Sequence, residues 1–513
     1  MESNKVMILI NYENQSGSNE SNEMKPNKKL FTMVTLICVI NASLSLFGNG
    51  LFVGWTSSVM DDDHLYHMKG ARDCQSDFRE ECRFSESEKL NIYTVIALAA
   101  ACGPLIVNQT WHLFGSKCFI LMGNFLMVVA WILVMFNREN YVGTVVGRSI
   151  GGLSIGIHSI LIPIYINDIV HAHQKPLCYS IMQLHFVLGI LSQYILYSLF
   201  KSFQYFFLII NLLPAITSTL LFILFLFMPE SPRYLAVRGN LKRAQEILMK
   251  LKMTNDCDMQ NDLPLWTSTV HPIGYLSAFK SYGFSIYLAI SVFGLHILEQ
   301  LIGVIPILFY VQKIFRLSVG CQHVNETFHP DYVITCKYLV EMSTILCVIL
   351  YCVSILLPHI FVIIKINLMW STSLMAGVLG VLGLYCCFQG VFDCEKTEDY
   401  RFIPLMCLTL FYFLYAIGPQ RLANEYAEKV IPKICQFPIR SMLTTTSWFL
   451  IYVVTRMLPQ LINSIGVGYL FCYMTVMCVL MAVFVKLFVA DLASNQKSLL
   501  LDNSRSSNCN CEN

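Results

Sequence analysis

Gln183, Glu299, Gln300 and Arg421 are polar side chains set inside or at the ends of long apolar runs, where they could bind a solute rather than break a bond. Gln183 lies in Ser180-Ile-Met-Gln-Leu-His-Phe-Val-Leu-Gly189. An amide carries a donor and an acceptor without charge, which suits the hydroxyls of a neutral polyol. The alternative is a hydrogen bond between helices, which polar residues in membrane segments often make. Glu299 is costly at membrane depth and by default functional or paired. Its candidate partner is Arg421, which could instead select an anion or reach the interface on its apolar stem. No phosphate-binding loop, dinucleotide fingerprint, zinc-ligand spacing or nucleophile–base pattern occurs, and the 12 His are scattered. No enzyme, cofactor or metal is expected.

The elements that must position these residues are membrane spans. Hydrophobic residues make up 55% of the 513 and charged ones 13%, more apolar surface than a soluble core of this size needs. Mean hydropathy is +0.57. Apolar segments of about 20 residues are predicted near 31–54, 91–113, 118–136, 141–170, 177–200 and 204–228, then near 280–311, 338–364, 366–390, 402–424, 441–465 and 468–490. The fold class is therefore an all-α membrane protein of about twelve helices. Two six-helix halves, 31–228 and 280–490, flank a central loop at 229–279, with tails at 1–30 and 491–513. Paired halves place a substrate between them near the midplane. The N-terminal tail is polar apart from Met7–Ile10, too short an apolar patch for a secretory signal.

Orientation follows from Lys and Arg. Lys25, Lys28 and Lys29, then Arg238, Lys242, Arg243, Lys250 and Lys252, then Lys429, Lys433 and Arg440 mark the cytoplasmic side, against Asp61–Asp63 and Glu395, Glu398 and Asp399 outside. Both termini are expected in the cytoplasm. Net charge of +2 points to no nucleic-acid partner. Most of the 20 Cys sit in apolar spans as packing residues. Cys74 with Cys82, and Cys321 with Cys336, fall in outer loops where disulfides are candidates. Asn325 heads a glycosylation sequon there. The sequons at Asn14, Asn19, Asn41 and Asn108 are expected to be silent, and Cys509 and Cys511 are candidate acylation sites on the tail.

The segment Met228-Pro-Glu230-Ser-Pro-Arg233-Tyr-Leu235 after the sixth span, with its basic amphipathic sequel, resembles the sugar-porter branch of the major facilitator superfamily. The resemblance runs from Phe31 to about Leu492 and looks most like facilitative glucose transporters. It implies that Gln183 hydrogen-bonds a sugar. It also implies that Glu299-Gln300-Leu-Ile-Gly303-Val-Ile305-Pro-Ile-Leu-Phe-Tyr310 supplies further contacts. Here Glu299 stands for the family's first glutamine and Ile305 for its asparagine. Gly418-Pro419 matches a broken tenth helix, but the family's closing tryptophan is replaced by Leu422 or Asn424. Gly147-Arg148 and Pro163-Ile-Tyr165-Ile-Asn-Asp168 match a pattern whose charges, with Glu230 and Arg233, form a cytoplasmic latch in the family. The partner loops are eroded to His112-Leu-Phe-Gly115-Ser-Lys117 and Ile363-Ile-Lys365. Proton-coupled members carry an Asp after Phe-Gly in span one, where this chain has Asn49.

These residues lead to a facilitative carrier of a hexose or related neutral polyol, working by alternating access. Gln183, Gln300 and Glu299 are its expected contacts, with Ile305, Leu422 and Asn424 at matched positions and Tyr310 further out. Partners are a small-molecule solute and the lipid bilayer, with the protein expected to be a monomer in the plasma membrane. A carrier of a charged organic solute would explain Glu299 and Arg421, and a non-transporting sugar sensor would explain the eroded loops. Glu299 is the residue that could reverse the expectation of uncoupled transport.

Overall fold

A computed structural model describes residues 33–59, 85–252 except 139, 172, 173, 202 and 204, then 286–318, 342–355 except 343 and 354, 364–388, 402–431 and 435–489. Cys74, Cys82, Cys321, Cys336 and Asn325 lie outside these residues. The first group of helices is α1 (Met33–Val59), α2 (Glu86–Phe136), α3 (Tyr141–Ile169), α4 (Lys175–Phe200) and α5 (Phe206–Leu226). Two short amphipathic helices follow, α6 (Pro232–Val237) and α7 (Leu241–Lys252). The second group is α8 (Ile286–Ile302), α9 (Val304–Phe309), α10 (Val311–Ser318), α11 (Thr344–Val353), α12 (Ile364–Phe388), α13 (Ile403–Ile417), α14 (Pro419–Val430), α15 (Gln436–Ile465) and α16 (Val467–Phe488).

Among the described residues nine helices are long and apolar enough to cross a bilayer. That number understates the crossings. Helix α2 runs 51 residues and turns back at Gly115 (φ 84°), so it crosses twice. Helix α15 is 30 residues long but carries Arg440 in its second turn and Arg456 about two-thirds of the way along, and α11 is a shorter apolar helix between α10 and α12. Counting these gives twelve crossings, six before the central loop and six after.

Local chemistry explains the boundaries. Ser85 and Glu88 form a reciprocal cap that starts α2, with the Ser85 N–H donating to Glu88 Oε2 at 2.8 Å. Gly115 needs its missing Cβ twice over. Its φ is in the left-handed region, and a Cβ would lie 2.7 Å from the Tyr234 ring. Gly303 (φ 82°) separates α8 from α9, and Gly418 (φ −98°, ψ −104°) separates α13 from α14 just before Pro419. Both interruptions lie in the second group. Non-helical backbone at membrane depth is tolerated only where protein or a cavity surrounds it, so these breaks point to the interior as the place where something is handled.

The sequons at Asn41 and Asn108 fall on α1 and α2, both side chains buried. One face of the bundle carries Gly115, Asp168, Lys175, α6, α7, Glu428 and Arg440, and is called the basic face below. The opposite face carries Asn91, Arg138, Tyr141, Tyr310 and Arg456.

Candidate solute-binding site

The deepest polar cluster lies where the two groups of helices meet. Tyr351 of α11 donates its hydroxyl to Gln420 Oε1 at 2.9 Å and lies beside Gln183 of α4. One tyrosine thus meets an amide from each half. Tyr415 of α13 donates to Glu299 Oε1 at 3.0 Å. His296, one turn earlier on α8, places Nδ1 3.4 Å from Glu299 Oε2. The Tyr351 and Tyr412 rings meet at a tilt of 42°, with centroids 5.2 Å apart. Gln300 is half-buried beside Glu299 and makes no side-chain hydrogen bond among the described residues. The arrangement offers amides, phenols and one carboxylate to a solute of polyhydroxyl character.

The two halves close on both faces around this cluster. At the basic face Glu428 of α14 accepts from Lys175 Nζ at 2.8 Å and from the Tyr179 hydroxyl at 3.0 Å, both on α4. Arg440 of α15 lies 3.7 Å from the same carboxylate and donates to the Tyr179 oxygen at 3.3 Å. Asn167 of α3 donates to that oxygen too, at 2.8 Å. Deeper in, Ser441 donates to the Pro104 carbonyl at 2.7 Å and Trp448 donates to Ser159 Oγ at 3.2 Å. At the opposite face Arg456 of α15 donates to Asn91 Oδ1 of α2 at 2.9 Å. Tyr310 stacks edge-on against Tyr93 at 5.3 Å, and Tyr194 donates to the Leu308 carbonyl at 3.0 Å.

Several expected residues sit elsewhere. Arg148 cannot join a latch with Asp168. The two occupy one helix 20 residues apart, about 30 Å at 1.5 Å per residue. Arg148 is fully buried near the opposite face, where Nη1 donates to the Phe52 carbonyl at 2.9 Å, Nη2 bonds Thr56, and the guanidinium covers the Phe52 and Trp55 rings. Glu299 does not pair with Arg421. Its partners are His296 and Tyr415, while Arg421 lies beside Glu425. Leu422 is packed in the core and Asn424 is exposed, its amide spent on the Gln420 carbonyl. Neither reaches the cluster, because the helix restarting at Pro419 turns Gln420 inward instead. Ile305 packs half-buried against the core. The Tyr310 hydroxyl donates to the Thr455 carbonyl at 3.4 Å, which makes Tyr310 part of the closure.

At the basic face Asp168 accepts from Ser231 Oγ at 2.6 Å, and Glu230 accepts from the Lys117 and Ser231 backbone N–H groups at 3.0 and 2.9 Å. Burial raises the Glu230 carboxyl above its ordinary range, and these two donors pull it back. Arg233 is half-buried next to this network, and its Nε has no partner. Asn49 is bonded to His158 of α3, Oδ1 to Nδ1 at 3.0 Å, a partner that the sequence did not single out. His296, Tyr351, Tyr415 and Gln420 were also missed. Only His296 carries a sequence signal, its i, i+3 spacing from Glu299.

The chain as a whole is similar to known proteins. A family model described as "Sugar (and other) transporter" matches residues 34–496. A putative metabolite transport protein of Bacillus subtilis, YwtG, is 26% identical over 417 residues, covering 78% of this chain and 83% of that protein. The facilitated glucose transporter member 5 of solute carrier family 2 from Bos taurus is 23% identical over 480 residues, covering 91% and 90%. Among solved structures, the major facilitator superfamily proton:xylose symporter XylE bound to 6-bromo-6-deoxy-D-glucose superposes with a TM-score of 0.67 at 17% identity, covering 89% of this chain and 95% of that one.

Proposed function

The chain belongs to the sugar (and other) transporter family, and from that premise we propose that it moves a hexose or related polyol down its gradient by alternating access. That it is a multi-pass membrane transporter, not an enzyme, follows from the family and the twelve crossings. The finer reading rests chiefly on one observation. Gln183 and Gln420, from opposite halves, flank Tyr351, whose hydroxyl is bonded to Gln420, between two faces at which the halves touch. A solute hydroxyl that replaces the Tyr351 link would touch both halves at once. Its departure on either side then requires only that one face open. The relative from Bos taurus, named as a facilitated glucose transporter, supports the same solute class. The Lys and Arg on the basic face orient it toward the cytoplasm, with both termini inside. A uptake panel of hexoses and polyols in proteoliposomes tests the proposal, and absence of uptake for every member would overturn it.

Two expected results follow from the cluster. Gln183→Leu removes an uncharged hydrogen bond worth on the order of 1 kcal/mol, roughly fivefold in affinity. Its KM for the transported sugar should rise by about that factor with the amount of protein at the surface near normal. Unaltered kinetics would take Gln183 out of the site.

The second concerns the driving force. Asn49 contributes no titrating group, and its oxygen is bound to His158. Uptake should therefore follow the sugar gradient and ignore an imposed proton gradient. Accumulation above equilibrium when the outside is acidified would refute uncoupled transport.

A further inference from the structure

Glu299, His296, Tyr412 and Tyr415 form a buried polar site around one carboxylate. The carboxylate is buried, 5% exposed, and among the described residues no Lys or Arg stands within ion-pair distance of it. One oxygen accepts from Tyr415. The other lies 3.4 Å from His296 Nδ1, which serves this carboxylate with its proton when the ring is neutral. In that tautomer His296 Nε2 is an acceptor, and this atom is buried without a hydrogen-bond partner, in a residue only 8% exposed. The Tyr412 hydroxyl is likewise buried and unpartnered. The phenols of Tyr351 and Tyr412 lie close enough to Tyr415 to interact with it electrostatically.

An uncompensated carboxylate is expensive at membrane depth, and each unmade hydrogen bond adds to the cost. A neutral hydroxyl brings one donor and repays little of this. A protonated primary amine brings three donors, no acceptor and the missing positive charge, and aromatic rings around it favour a cation. We infer that the preferred solute is a polyol bearing a protonated amine, with Glu299 as its counter-ion, His296 Nε2 as a second acceptor, and Gln183 and Gln420 on its hydroxyls. This rests on the transport reading above and narrows its solute class to amino sugars.

The test compares glucosamine, glucose and N-acetylglucosamine in proteoliposomes holding the full-length protein, at mildly acidic pH. Glucosamine should compete for uptake roughly tenfold or more better than glucose, as a charge-assisted hydrogen bond in a dry site requires. N-acetylglucosamine, with the same nitrogen made neutral, should lose that advantage. This comparison needs no variant, so it stands even if a substitution impairs folding. In Glu299→Gln the ratio of glucosamine to glucose uptake should fall at least tenfold. Glucose handled as well as glucosamine by the parent protein would overturn the inference and leave the transport proposal standing. So would a preference that survives Glu299→Gln, whereas glucose uptake driven by an imposed proton gradient through Glu299 would overturn both this inference and the uncoupled transport proposed above. Failure of all three sugars to move or to compete would overturn both.

Discussion

Glu428→Ala should shift the protein toward opening at its basic face by about two orders of magnitude. In the closed arrangement Glu428 holds Lys175 at 2.8 Å and Tyr179 at 3.0 Å across the two halves, with Arg440 at 3.7 Å on its own side. The Glu428 and Arg440 side chains are only 15% and 14% exposed. Removing the carboxylate strands two cations and a phenol where water reaches only in part, and because Lys175 is 29% exposed the cost lies at the lower end for a buried pair, about 3 kcal/mol. The same groups become solvated once the face opens, so the penalty falls on the closed state alone. Each 1.4 kcal/mol is a factor of ten in the equilibrium. Hydrogen–deuterium exchange should accelerate over residues 167–180 and 425–441, while the opposite face around Asn91 and Arg456 exchanges as before. Combining Glu428→Ala with Arg440→Gln should cost less than the sum of the two, because they share one network. Unchanged exchange in Glu428→Ala would show that this contact does not hold the face shut.

A different kind of loss is expected at Gly189. A Cβ there would collide with the Phe47 carbonyl of α1 and lie 2.9 Å from the Gly50 Cα, and a Cβ at Gly50 would strike the Phe186 carbonyl in return. The two helices touch backbone to backbone, and neither partner is a flexible side chain that could move aside. Gly189→Leu must part α1 from α4, which carries Gln183, along much of their shared length. Overpacking a tight core costs about 1–3 kcal/mol or more, and a backbone obstruction belongs at the upper end. Mature protein should fall to near background in a surface-expression assay. Gly377→Leu is the matched control, since a Cβ at Gly377 meets nothing within 4 Å. Equal expression of the two variants would refute the packing account.

The sequence made the span pattern, the Gly418-Pro419 break and the polar character of α8 legible, because each depends on composition or on residues with restricted backbones. It did not reveal depth. Arg148 and Asp168 share a motif, yet helical rise puts them at opposite ends of α3. Nor did it reveal helical phase after a break. Position in the motif pointed to Leu422 and Asn424, whereas the chain restarting at Pro419 presents Gln420 to Tyr351. Tyr351 itself sits in an apolar run with no periodic signal, and only the meeting of α11 with α4 and α14 gives it a task. Hydrophobic pattern specifies which residues leave water. It says much less about which of the buried polar groups will find one another.

Among the described residues, the membrane-depth breaks at Gly303 and Gly418 both belong to the half that carries Glu299, Tyr351 and Gln420, while the spans around Gln183 run unbroken. A solute bound as proposed would be gripped between a stiff wall and a jointed one. Contacts to the stiff wall persist through the cycle and lower every state alike, which tightens binding without hastening turnover. Contacts to the jointed wall are made and lost as it bends, so they set the barrier. Under the proposed function affinity and speed are therefore separable properties: substitutions on α4 should change how little solute is needed, and substitutions on α8, α11 and α14 how fast each molecule is let go.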